Sequence, residues 1–143
     1  MRIRLVAVGT RMPSWVVEGY QEYAKRLPRE CSLQLIEIPL SKRRKSMTAA
    51  QARQQEGQAM LAAVPKDCIV IALDVPGKHW TTQDLAGRLR EWMASGRDVA
   101  LLVGGPDGLS QACLDRAEQH WSLSALTYPQ SLVRIVLAEQ LYR

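Results

Sequence analysis

The feature of this chain that most constrains its fold is a regular alternation of short apolar runs with longer segments of helical period. Several runs are apolar at nearly every position, which is typical of strands buried on both faces of a sheet. The predicted strands are residues 3–8, 33–38, 68–73, 99–103 and 121–126. Because a helical segment follows each strand, the sequence predicts an α/β domain with a mainly parallel sheet and helices on both faces.

A serine or threonine stands before four of the helical segments, where an N-cap is expected, and two of them have a capping-box partner three residues later. Glycine or proline marks several of the ends. The predicted helices, from cap or first residue to end, are Ser14 to Leu27, Thr48 to about Ala63, Thr81 to near Gly96, Ser110 to about Glu118, and Leu132 to Tyr142.

The last helix is apolar around most of its circumference, and we expect its small polar surface to consist of Arg134, Glu139, Gln140 and Tyr142. Such a helix needs cover on more than one side. Because no later element can supply that cover, we expect a subunit interface rather than burial in the core of one chain.

Length and charge restrict the possible classes of protein. The 143 residues, 47% of them hydrophobic, fit one domain over residues 1–143. Basic residues outnumber acidic ones by 19 to 14, so an anionic partner is expected, with nucleic acid as the first candidate. The run Lys42, Arg43, Arg44 and Lys45, with further cations in the first 45 residues, favours contacts with RNA or DNA phosphates over a merely solvated loop.

Several kinds of chemistry lack their motifs. The three cysteines are odd in number and widely spaced, and the two histidines have no ligand partner at metal-binding spacing, so no disulfide framework and no metal site are expected. Neither a P-loop nor a nucleophile elbow is present, which disfavours ATP hydrolysis and serine hydrolysis. Without an apolar run of about 18 residues or a signal-peptide pattern, we expect a cytoplasmic protein.

Three loops could hold a ligand, because open α/β sheets bind ligands beyond the carboxyl ends of their strands. They are residues 73–77, 104–110 and 123–129. In the second loop the pair Gly104-Gly105 has two interpretations, which the sequence leaves open. The glycines either let the backbone approach a ligand closely or form an ordinary tight turn.

Several segments, spread in order over the whole chain, closely resemble the RlmH family of SPOUT-class methyltransferases. They are residues 5–10, 35–39, 73–74, 101–108, 121–127, 132–134 and 139–143. The resemblance implies a homodimer with a C-terminal trefoil knot that uses S-adenosylmethionine. It further implies methylation of N3 of a pseudouridine in helix 69 of 23S ribosomal RNA, position 1915 in the usual numbering, on assembled 70S ribosomes.

Carried over position by position, the resemblance implies functional residues. The family's cofactor contacts fall on Leu73, Gly104, Leu123, Ser124, Ala125, Leu126, Thr127 and Tyr128. Arg143 is the candidate catalytic residue, which would stabilise the anion that develops at N3. Family members usually continue past the equivalent of Arg143 in a tail of the His-Pro-Tyr-His-Arg type. Either this protein does so too or it lacks residues that its relatives use, and we favour the first because the last helix reaches Arg143 without a stop signal.

Two alternatives remain open at this point. One is a non-catalytic factor that binds ribosomes or RNA and keeps the fold without the activity. The other is a SPOUT methyltransferase with a different RNA target. Calorimetry with S-adenosylmethionine distinguishes the first from an enzyme, and mapping of methylated nucleotides distinguishes the second.

Overall fold

The computed structural model describes residues 1–40 and 47–143, and in these residues the chain forms five strands and five α-helices. The strands are β1 (Arg2–Val8), β2 (Ser32–Ile38), β3 (Ile69–His79), β4 (Val99–Val103) and β5 (Gln119–Ser122). The helices are α1 (Ser14–Ala24), α2 (Ala49–Ala62), α3 (Thr82–Ser95), α4 (Gln111–Arg116) and α5 (Gln130–Tyr142), and a short 3-10 turn covers Arg29–Cys31.

The strands form one sheet in the order β2-β1-β4-β3-β5, and all four pairings are parallel. The central pairing places Leu5 opposite Leu101, and Leu101 in turn opposite Ile71. The predicted α/β architecture is therefore confirmed. A parallel sheet needs a crossover between neighbouring strands, and the helices that follow each strand supply it.

The two faces of the sheet bury two separate apolar clusters. Ile3 and Leu5 of β1 point to the face covered by α1, α3 and α5, whereas Val6 and Val8 point to the face covered by α2 and α4. This alternation follows from the two-residue period of a strand. Helices thus cover both faces, as the sequence predicts. No helix formed by residues 1–40 and 47–143 has the length and apolar character that a membrane span requires.

The fifth strand differs from its predicted position. It covers Gln119–Ser122 instead of residues 121–126, and the chain then turns away from the sheet. Hydrogen bonds explain the turn, since the Ser122 hydroxyl donates to the Ser124 carbonyl oxygen at 3.0 Å and the Leu126 amide donates to Ser124 Oγ at 3.0 Å. These local bonds replace the strand ladder. As a result, the segment after Ser122 is a loop rather than a strand.

Helix starts are confirmed at Thr48, Thr81 and Ser110, each of which accepts a backbone hydrogen bond three residues ahead. The prediction for Ser14 is wrong: Pro13 is the N-cap, and Ser14 is already the first helical residue, with no side-chain cap. Pro13 keeps its carbonyl oxygen available for the amides of the first turn, and no side-chain acceptor is used.

The last helix has less polar surface than expected, because Arg134 is 1% exposed. Three apolar residues of α5, Leu137, Ala138 and Leu141, are also buried within the chain. Leu132 remains more than a third exposed. The core of one chain therefore covers much of α5 and leaves Leu132, in its first turn, exposed.

Candidate functional site

A cavity of about 850 Å³ lies at the carboxyl edge of the sheet. Val8 at the end of β1 and Val103 at the end of β4 line it, together with Leu73 of β3. Parallel strands end at the same edge, and the loops that follow them enclose the space beyond. The cavity therefore stands where the sequence places a ligand site.

Residues from all three predicted ligand loops meet at this cavity, but the first of these segments is not a loop. Residues 73–77 lie within β3, whose pairing with β5 shifts in register between Leu73 and Lys78. Seven of the eight predicted cofactor residues line the cavity: Leu73, Gly104, Leu123, Ser124, Leu126, Thr127 and Tyr128. Ala125 is exposed and stands outside the lining. These residues come from one strand and two loops that are distant in sequence, so the tertiary fold brings them together.

The loop after β4 is a tight turn that also forms part of the cavity wall. The Gly108 amide donates to the Gly105 carbonyl oxygen at 3.0 Å, and Gly108 has a positive φ of 82°. A Cβ added at Gly104 would lie 2.5 Å from the Gly108 carbonyl carbon. The glycine at position 104 is therefore required by contact of the chain with itself. The structure therefore shows the turn, and because both glycines also line the cavity, the close approach of a ligand stays a prediction.

A buried arginine connects α5 to the cavity wall. The Arg134 guanidinium donates to Glu37 Oε2 at 2.7 Å and to the Gly9 carbonyl oxygen at 2.8 Å. Gln130, one helical turn earlier, donates to the Gly104 carbonyl oxygen at 3.1 Å. Gly9, Gly104 and Gln130 all line the cavity. The sequence shows Arg134 only as a lone cation in an apolar helix, and this is the one signal that could have identified the network.

Asp74 is the one residue with a formal charge among the described residues that line the cavity. It follows Leu73, and its carboxylate lies 4.0 Å from His120 Nδ1, which is too long for a hydrogen bond. Asp74 belongs to a predicted ligand loop, but no role for it is predicted from the sequence. Its position directly after a buried strand was the available signal.

The cysteines offer no reactive thiol at this site. Cys31, Cys68 and Cys113 are buried and unpaired, and burial raises the pKa of each thiol. A raised pKa keeps a thiol protonated at neutral pH and therefore weakly nucleophilic. Residues 1–40 and 47–143 contain no group of three or more His, Cys, Asp or Glu side chains that could hold a metal ion.

The remaining predicted site residues lie elsewhere. Arg143 ends the chain after α5, where its exposed guanidinium pairs with Glu139, which raises the pKa of Arg143. Ten residues separate Arg143 from Val133 in the cavity wall, which is roughly 15 Å along a helix at 1.5 Å per residue. Lys42, Arg43, Arg44 and Lys45 lie outside the described residues.

Arg11 is a cation whose neighbours in sequence line the cavity. Arg11 is exposed and has a φ of 57°, in the left-handed region that side chains other than glycine rarely adopt. Its neighbours Thr10 and Met12 both line the cavity. From the sequence alone, Arg11 is one of several cations in the first 45 residues and no particular role is predicted for it.

The whole chain matches the model of a known protein family. The family model described as "Predicted SPOUT methyltransferase" matches residues 1–143, the whole chain. The chain belongs to the SPOUT methyltransferase family. A relative from Thioalkalivibrio sulfidiphilus (strain HL-EbGR7), named "Ribosomal RNA large subunit methyltransferase H", is 59% identical over 143 residues, which are 100% of this chain and 92% of the relative.

Solved structures agree on the fold of this SPOUT family member. The crystal structure of a methylase family protein from Neisseria gonorrhoeae matches with a TM-score of 0.54 and covers 98% of this chain and 81% of that one. Its sequence identity is 13%, so this likeness concerns the fold alone. The family membership predicted from the sequence motifs is thus confirmed by the family model and by the Thioalkalivibrio relative.

Proposed function

We propose that this SPOUT protein is an S-adenosylmethionine-dependent methyltransferase of large-subunit ribosomal RNA. Its proposed target is N3 of a pseudouridine in helix 69 of 23S RNA, on assembled 70S ribosomes in the cytoplasm. The observation that carries the proposal is the convergence of Leu73, Gly104 and five of the six residues from 123 to 128 on one cavity. These are the positions at which the family resemblance expects cofactor contacts.

The chemistry of the cavity suits S-adenosylmethionine. Its volume of about 850 Å³ is in the range of small-molecule sites. Side chains such as Leu73, Val103 and Leu123 supply apolar walls for the adenine, and the loop backbones and Ser124 supply polar groups. Leu73, Gly104 and residues 123, 124 and 126–128 would hold the cofactor. When bound, it supplies an electrophilic methyl group on a sulfonium.

Methylation at N3 also requires removal of a proton. An imide nitrogen that titrates 2 to 3 units above neutral costs roughly 3–4 kcal/mol to ionise, at about 1.4 kcal/mol per unit. A guanidinium near the developing anion lowers that cost. We assign this role to Arg143, with a water as the proton acceptor.

Arg143 cannot serve the cavity of its own chain, because the length of α5 separates the two. We therefore propose a homodimer in which Arg143 serves the partner's cavity, and we retain the C-terminal trefoil knot from the family resemblance. Exposed Trp15 on α1 and Leu132 on α5 support a shared face. These helices run side by side in one direction, with Gly19 against Ile135 and the Tyr23 ring 6.4 Å from the Tyr142 ring. Large exposed apolar side chains often mark interfaces.

The decisive experiment is methylation of 70S ribosomes and of isolated 50S subunits with radiolabelled S-adenosylmethionine. We expect label in the 23S RNA of 70S ribosomes and a reverse-transcription stop at the pseudouridine, because an N3 methyl group blocks the pairing edge. Label in another nucleotide would assign a different RNA target. A protein that bound ribosomes but neither transferred label nor bound the cofactor would be a non-catalytic factor.

A variant tests Arg143. Arg143→Ala should bind the cofactor with nearly unchanged affinity while its methylation rate falls by at least about a hundredfold, typical for loss of a charge-stabilising donor. Arg90→Ala, which removes an exposed arginine on α3, is the matched control and should keep full activity. Methylation by Arg143→Ala at the control rate would remove Arg143 from the mechanism.

A further inference from the structure

The charge of the cavity is unusual for a site expected to work on an anionic RNA. Apart from Asp74, the described residues that line it are neutral. No other charge in the described lining competes with this carboxylate for a ligand, and water screens it only in part. The ligand's own charge should therefore affect its affinity.

The backbone holds Asp74 at the cavity edge. β3 pairs with β5 through Leu73, leaves it, and returns at Lys78, so both of these residues stand opposite Trp121. The return is close, since a Cβ added at Gly77 would lie 2.7 Å from the His120 carbonyl group. Asp74 is the first residue of this excursion, so its position depends on the sheet on one side and on the Gly77 contact on the other.

The Asp74 carboxylate is available to a ligand. Its side chain is 30% exposed, and no hydrogen bond to it is found among residues 1–40 and 47–143. His120 is the nearest ionisable group, at 4.0 Å. The other ring nitrogen of His120, Nε2, lies 3.0 Å from the Leu114 carbonyl oxygen and must carry a proton to bond to it. A neutral His120 then presents an unprotonated Nδ1 to Asp74 and cannot donate to the carboxylate.

We propose that Asp74 makes the cavity selective for the methyl-loaded, cationic form of the cofactor. This inference rests on the proposed function. S-adenosylmethionine carries one more positive charge than S-adenosylhomocysteine, because methyl transfer returns the C–S bonding electrons to sulfur and leaves a neutral thioether. The carboxylate attracts the sulfonium before the reaction and loses that attraction afterwards. Asp74 thereby favours cofactor entry and product release at the same site.

The test is calorimetric titration of wild type and Asp74→Asn with both cofactor forms. Asparagine has nearly the same shape as aspartate and replaces the charged carboxylate with a neutral amide. We expect Kd for S-adenosylmethionine to rise about tenfold, in line with loss of one partly screened charge pair, while Kd for S-adenosylhomocysteine changes less than twofold. Asp74→Glu keeps the charge and should retain part of the preference.

Asp67→Asn is the matched control, because Asp67 is exposed and precedes the first residue of β3, whereas Asp74 lies in the middle of that strand beside the cavity. It should leave both Kd values unchanged. Equal losses for both ligands in Asp74→Asn would mean that Asp74 holds a group common to both, such as the ribose, and would overturn the inference. No loss for either ligand would overturn it as well. If the wild type bound neither ligand, the proposed function itself would fail, which is a distinct result.

Discussion

The ion pair between Arg134 and Glu37 leads to a prediction about stability that distinguishes its two partners. The Arg134 side chain is 2% exposed and the Glu37 side chain is 37% exposed, so one charge is enclosed by protein and the other is partly solvated. Guanidinium groups do not deprotonate in proteins. Removal of Glu37 therefore leaves a buried cation, whereas removal of Arg134 leaves a carboxylate that can turn to water.

These environments set the magnitudes. Glu37→Ala should lower the free energy of unfolding by about 3 kcal/mol, the lower end for breaking a buried pair, because Arg134 keeps the Gly9 carbonyl as an acceptor. Arg134→Met preserves most of the side-chain volume and should cost about 1.5 kcal/mol, the loss of one or two hydrogen bonds. The double variant contains no buried charge. It should therefore be more stable than Glu37→Ala alone.

The assay is urea unfolding monitored by tryptophan fluorescence, repeated at several protein concentrations so that any association is accounted for. The exposed pair of Arg97 and Glu118, 2.8 Å apart, supplies the control, and Glu118→Ala should cost less than about 1 kcal/mol. A double variant less stable than Glu37→Ala would refute the reasoning. So would a cost for Glu37→Ala no greater than that of the surface control.

Three further predictions concern the stability of the fold. Gly77→Ala should destabilise the fold by about 1–3 kcal/mol, because the new methyl group meets the His120 backbone. Gly87→Ala, in an open position on α3, should stabilise it by roughly 0.5–1 kcal/mol, and urea midpoints that shift in the same direction for both variants would contradict this prediction. Thr81→Ala removes a capping box and should lower the free energy of unfolding by about 1 kcal/mol. An unchanged free energy of unfolding would show that the cap is dispensable. Burial raises the pKa of Tyr20 from 10.0 to about 12, so its contribution to stability is complete below pH 10 and is lost as pH rises through 12. In an ultraviolet titration of the folded protein, the Tyr20 phenolate should form only near pH 12. Its formation near pH 10 would contradict the burial.

The predictions from the sequence succeeded where a local pattern had a single physical solution. The apolar runs at residues 3–8 and 99–103 are strands, because side chains that are apolar on both sides of a strand need cover on both faces of a sheet. Thr48 and Thr81 start helices because their side chains accept an amide of the first turn. The sequence-based prediction of a strand failed at the segment after Ser122, where serine side chains hydrogen-bond to nearby backbone groups and the strand ends early.

The site shows the same division. Chain order and the parallel architecture were sufficient to predict that residues 73, 104 and 123–128 stand at one edge of the sheet. The environment of each side chain there was not predictable. A lone arginine in an apolar helix has the same local pattern whether it faces solvent or a carboxylate, and the partner of Arg134 is 97 residues away.

The sequence by itself determined the class of fold, the starts of three helices and, through its motifs, the family. These depend on local periodicity, on capping and on residue identity, which are all written along the chain. Only the tertiary structure decided that Arg134 is buried against Glu37, that Gly104 is held by contact with Gly108, and that Asp74 is the one charge among the described residues lining the cavity. Burial and pairing arise between segments distant along the chain, so no local pattern specifies them.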